Sequence, residues 1–111
     1  MEREDSLRDV DPKHIADLSA ITSKDNLYNL FNILIDNIET LSKENDATSF
    51  AKGVHAQLGA ALKLGAERTA KILRAADTQA IDSDQARRAL EDALPGLRTA
   101  LARCGIAPRN G

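Results

Sequence analysis

The chain has 111 residues, near the modal size of a single domain. Its apolar share of 42 % comes mainly from Ala and Leu, with aromatics at 3 % and no Trp, a balance that favours helix over sheet. Charged residues make up 29 %, with Lys+Arg 15 against Asp+Glu 17, which excludes a collagen, a disordered tail and a supercharged nucleic-acid binder.

Residues 1–10 carry no usable period, and the sequence predicts a flexible N-terminus there. A first helix is expected over 11–22. Asp11 fits the N-cap, Pro12 the first helical position, and Val10 with Ile15 the hydrophobic staple. Ile15, Leu18 and Ile21 give it a short apolar face, and His14 in its first turn reads as a solvated surface residue. Ser23 is the cap candidate for a second helix over 24–44, in which Leu27, Leu30, Phe31, Leu34, Ile38 and Leu41 recur at spacings of three and four.

Asn45 and Asp46 end that run and cap the longest periodic segment, residues 47–76, read as one helix. Phe50, Val54, Leu58, Ala61, Leu62, Gly65, Thr69, Ile72, Leu73 and Ala76 fall on one side of its wheel. Gly53, Gly59 and Gly65 interrupt it, each at a cost of about 1 kcal/mol against Ala. Either another surface approaches closely at some of them or the helix is locally weak or bent.

Asp82 and Gln85 have the spacing of a capping box and open a last helix over 83–104. Pro95 lies inside it, yet Ala86, Leu90, Leu94, Leu97, Leu101 and Cys104 keep one phase across the proline, so one kinked helix is expected. Gly105 suits a left-handed C-cap, Ile106 the contact after it and Pro108 the stop. Residues 107–111 read as a loose tail. The expected fold is all-α, an antiparallel four-helix bundle forming a single domain over 11–106.

Charge is unevenly spread. Residues 1–46 hold 11 acids and 5 bases, a net of −6; residues 47–111 hold 6 acids and 10 bases, a net of +4. The two halves either complement each other within one bundle or leave a basic surface for an acidic partner. Most reaction classes lack their parts: there is no phosphate-binding glycine loop and no His-Glu-x-x-His or Glu-x-x-His pair. Cys104, the one cysteine, cannot form an internal disulfide or hold a metal alone. No metal site and no resident cofactor are expected. The C-terminal arginines lack interleaved aromatics, which argues against a nucleic-acid partner. An acidic N-terminus, no run of 18 apolar residues and a single thiol predict a cytoplasmic protein with no membrane partner.

His55 stands out because of its neighbours. It lies at the edge of the apolar stripe. Gly59, four residues on, and Lys52, three back, share its side of the helix, and Lys63 continues the stripe one turn past Gly59. Ala56 and Ala60 fill the rest of the outer face. A histidine flanked by cations, with a glycine opening the surface beside it, suits a phosphoryl acceptor: the imidazole is the nucleophile and the ammonium groups balance the added charge. The plain alternative is a surface histidine among good helix formers.

The stretch from Asp46 to Arg68 resembles the histidine-containing phosphotransfer (HPt) domain. That family carries an acid nine residues before its histidine, matched by Asp46, and an apolar residue five before, matched by Phe50. Its motif, His-x-x-Lys-Gly, small residues and then Gly-Ala, is matched by His55, Gly59, Ala60, Ala61, Gly65 and Ala66. The family lysine three after the histidine is Leu58 here.

The resemblance implies a four-helix bundle with an exposed histidine, here His55 as phosphoryl acceptor. It implies exchange with a response-regulator receiver domain or a sensor kinase, with Mg²⁺ bound by the receiver, and Lys52 and Lys63 as candidates to support the phosphoryl group in place of the missing lysine. Gly59, Ala56 and Ala60 would form the docking surface. Such a carrier is changed in each half-cycle and is not strictly an enzyme. The alternative of another class is a non-catalytic helical interaction module that docks a partner through the Gly/Ala-rich face.

Overall fold

Five helices follow one another: α1 (Pro12–Ile21), α2 (Lys24–Ser42), α3 (Ala47–Leu64), α4 (Glu67–Asp77) and α5 (Ser83–Arg103). The structure is a computed structural model and describes residues 9–106. The fold is all-helical, with no strand among the described residues. The expectations for residues 1–8 and 107–111 lie outside them. Asp9 and Val10, assigned from sequence to the loose N-terminus, are part of the fold: Val10 is buried together with Ile15, as the staple reading requires.

The caps explain why the helices begin where they do. Asp11, Ser23, Asp46 and Asp82 each stand in extended backbone and accept a hydrogen bond from a first-turn N–H, of Lys13, Asn26, Ser49 and Gln85 respectively. Asp82 and Gln85 complete the reciprocal box, at 2.8 and 2.9 Å. Each such cap holds about 1 kcal/mol of helix stability. α5 is one helix running through Pro95, whose ring faces solvent. It ends as expected, with Gly105 at φ 80° and the Ile106 N–H donating to the Leu101 carbonyl at 2.8 Å.

The expected single helix over 47–76 is two helices. Gly65 adopts φ 76°, its N–H donates to the Leu62 carbonyl (3.3 Å), and the Ala66 N–H donates to the Ala61 carbonyl (2.9 Å). This is the Schellman pattern that terminates a helix through a left-handed residue. The chain then reverses, and α4 packs back against α3. Periodicity concealed the break because both helices turn their apolar sides to the same core: Ala61 and Leu64 before it, Ala66, Thr69, Ala70 and Leu73 after it.

α2 packs against α3 and α5, α4 packs against the same two helices, and α1 contacts α2. Leu27, Phe31, Leu34, Ile38, Leu73, Leu90 and Leu97 are fully buried between them. Each such side chain contributes about 1.5–3 kcal/mol when buried, against less than about 1 kcal/mol for an exposed ion pair, so the core decides the fold. Gly53 allows α3 and α2 to approach: a methyl there would lie 2.6 Å from Leu41 Cδ1. Three residues expected on apolar faces are exposed instead, Ile21 (80 %), Leu62 (48 %) and Leu30 (40 %). Ile21 is the last residue of its helix, and the other two lie at the outer margins of their stripes.

The acidic and basic halves meet within the fold. Arg68 pairs with Asp9 at 2.9 Å, Arg98 lies 3.8 Å from Glu39, and the Arg87 guanidinium sits 5.1 Å from the Phe50 ring centre while donating to the Glu44 carbonyl. The arm before α1 is fastened to the α3–α4 elbow. The Asp11 N–H donates to the Gly65 carbonyl (3.0 Å), and His14 Nε2–H to the Lys63 carbonyl (2.7 Å). His14, expected to be merely solvated, is a tertiary contact across 49 residues.

Candidate functional site

α3 carries His55 and the residues expected to support it, Lys52, Ala56, Gly59, Ala60 and Lys63. Asp46, the acid of the resemblance, is its N-cap, and the Ser49 N–H, followed by the Ser49 hydroxyl, holds the Asp46 carboxyl below its ordinary value of 3.8. Phe50 points into the core. At the 100° per residue of a helix, Lys52, Gly59 and Lys63 lie within about 80° of His55 on the outer face. All three are exposed, as is Ala56, while Ala60 is half-buried.

His55 lies mid-helix, with its side chain 80 % accessible. Gly59 opens the surface beside it, since a methyl there would meet nothing within 4 Å. Leu62, seven residues on and within about 20° of the same direction, adds an exposed apolar side chain. Leu58 packs against the core and brings no cation to His55. Lys63 is just over two turns beyond the imidazole, and its carbonyl is taken by His14.

Sequence reasoning missed Asp77. His55 Nδ1 lies 3.4 Å from Asp77 Oδ1. In a continuous helix residues 55 and 77 would stand about 33 Å apart, at 1.5 Å for each of 22 steps. The reversal at Gly65 and Ala66 brings them together. The signal was present as a glycine in a position to end a helix, followed one helix length later by an acid. A cleft of about 430 Å³ opens one turn from this pair, between Ala51, Val54, Ala76 and Ile81.

The arrangement offers an accessible imidazole, one carboxylate 3.4 Å from its Nδ1 and a surface left open at Gly59. Among the described residues no group of three His, Cys, Asp or Glu side chains comes together to hold a metal ion, and no helix is long and apolar enough to cross a membrane. No protein-family model matches the chain, nor does any curated protein or solved structure.

Proposed function

We propose that the chain is a histidine phosphotransfer carrier in a two-component phosphorelay, with α2, α3, α4 and α5 as its antiparallel four-helix bundle. His55 takes a phosphoryl group from the aspartyl phosphate of a receiver domain and passes it to another. The observation that carries this reading is the 80 % accessibility of the His55 side chain in the middle of α3, beside open space at Gly59. A nucleophile that must enter another protein's active site needs both. The receiver supplies Mg²⁺ and the acidic pocket, and Lys52, one turn before His55, adds a mobile positive charge.

The test is incubation with phosphorylated receiver domains and detection of an acid-labile phosphoryl group on the chain. Wild type is labelled and His55→Gln is not. Lys52→Ala is slowed by less than about fivefold, as befits an exposed charge worth under about 1 kcal/mol.

The core packing of Leu58 favours a second reading, a docking module of the same fold without the chemistry. Under it, wild type and His55→Gln take up equally little phosphate while both still bind the receiver.

A further inference from the structure

We infer that Arg68 and Gly96 build a carboxylate-binding seat between α4 and α5, which the chain's own Asp9 fills in this structure and which an acidic peptide segment of a partner takes in its place. The inference is independent of the phosphotransfer reading. The Asp9 carboxylate accepts from Arg68 Nε–H at 2.9 Å. It also lies against the α5 backbone: a methyl on Gly96 would stand 2.8 Å from Asp9 Oδ1 and 2.9 Å from Oδ2. The Asp9 side chain is 27 % accessible, against 46 % for Arg68, so the carboxylate is seated rather than spread on the surface.

α5 gives up helix propensity to make this seat. Proline and glycine are the two poorest helix formers, and Pro95 and Gly96 stand together in its interior. The Pro95 ring faces solvent, and the bare side of Gly96 faces Asp9. A local rule broken in this way marks a functional position. Arg68 lies in the first turn of α4, where Glu67 is the acid and the N-cap residue Ala66 makes no side-chain hydrogen bond. The positive end of that helix adds to the guanidinium in favouring an anion.

The seat divides a groove. On one side a hollow of about 570 Å³ runs past Lys71, Ile72, Asp92 and Ala93, and on the other a hollow of about 350 Å³ runs past Ala100 and Arg103. Asp9 and Arg68 line both. With the Asp9 side chain turned away, the groove presents three cations, Arg68, Lys71 and Arg103, against one acid, Asp92, over a floor of small and apolar side chains. That charge pattern selects an acidic peptide: one carboxylate replaces that of Asp9 at Arg68, and its neighbours along the peptide meet Lys71 and Arg103. The arm itself is anchored by the buried Val10 and by the Asp11 N–H on the Gly65 carbonyl, so only the Asp9 side chain has to move. The site is self-blocked, since the arm and the partner compete for one guanidinium.

The experiment titrates the full chain into a short fluorescent peptide of alternating aspartate and alanine and reads anisotropy at low ionic strength. Asp9→Ala binds this peptide about fivefold more tightly than wild type, the scale of a single surface ion pair, and neither binds a peptide of alternating asparagine and alanine. Adding Gly96→Ala to Asp9→Ala puts a methyl into the seat and removes the gain. Asp9→Asn gives a smaller gain of the same sign and replaces Asp9→Ala should that variant lose its helical circular dichroism. In parallel, acetate compared with chloride at equal ionic strength raises the melting temperature of Asp9→Ala and leaves that of wild type unchanged, by ligand linkage. Equal affinity of wild type and Asp9→Ala for the acidic peptide, or a gain that survives Gly96→Ala, overturns the inference. So does stabilisation by acetate without peptide binding, which leaves Arg68 and Gly96 as a clasp for the arm and nothing more.

Discussion

Gly65→Ala and Gly59→Ala make the same chemical change six residues apart and have opposite expected effects. At Gly65 the backbone holds φ 76°, which costs an L-residue roughly 1–2 kcal/mol. The added methyl would also lie 2.8 Å from His14 Cδ2 and 3.0 Å from Cγ. Relief requires the ring to move and the His14–Lys63 bond to lengthen, which forfeits about 1 kcal/mol more. The sum is a loss of about 2–3 kcal/mol. At Gly59 nothing lies within 4 Å of the new methyl, and alanine gains about 0.8–1 kcal/mol of helix propensity. Urea unfolding followed by circular dichroism reads both changes as midpoint shifts of opposite sign. The double variant His14→Ala, Gly65→Ala isolates the steric part: it is less destabilised than the sum of the two single variants, because the clash is absent once the ring is gone. Equal midpoints for Gly65→Ala and Gly59→Ala would refute both the left-handed elbow and its contact with His14.

At the end of α4, Gln79→Gly removes a left-handed side-chain-bearing residue and raises stability by about 1 kcal/mol, seen as a rise of some 4–8 °C in melting temperature; a fall would contradict the cap geometry. Asp46 has a folded-state pKa below its ordinary value of 3.8, so its contribution is fully present above that value and is lost as the pH falls through the depressed one. Asp46→Asn keeps a capping oxygen and loses this dependence, so urea midpoints measured at neutral pH and near pH 3 differ less in the variant than in wild type.

Composition and three–four spacing made the helical class legible, and short-range chemistry made most boundaries legible too. Asp11, Ser23, Asp46, Asp82 and Gly105 all act within a few residues of themselves, which is why a sequence exposes them. The elbow at Gly65 was less visible, because an apolar phase running from Ala61 to Leu73 satisfies one straight helix and a reversed pair alike. Missing the elbow meant missing Asp77, since the contact with His55 exists only after the chain turns back. His14 shows the same limit, as its acceptor is a backbone carbonyl 49 positions away and no side-chain pattern announces it. The exposure of Leu62 and Leu30 reflects stripe width, which hydrophobic spacing does not fix.

Placing His55 and Asp77 on one helical hairpin also separates the site from the slower part of assembly. Their contact closes a loop of 22 positions, whereas the contact of Glu39 with Arg98 between α2 and α5 closes one of 59. By loop-closure entropy the longer one costs about 0.9 kcal/mol more, and a two-residue elbow already fixed by its own hydrogen bonds widens the gap. By that measure the imidazole and its carboxylate belong to a more local unit than the α2–α5 contact does. The pair thus depends on the turn between α3 and α4 and not on the closure of α2 against α5.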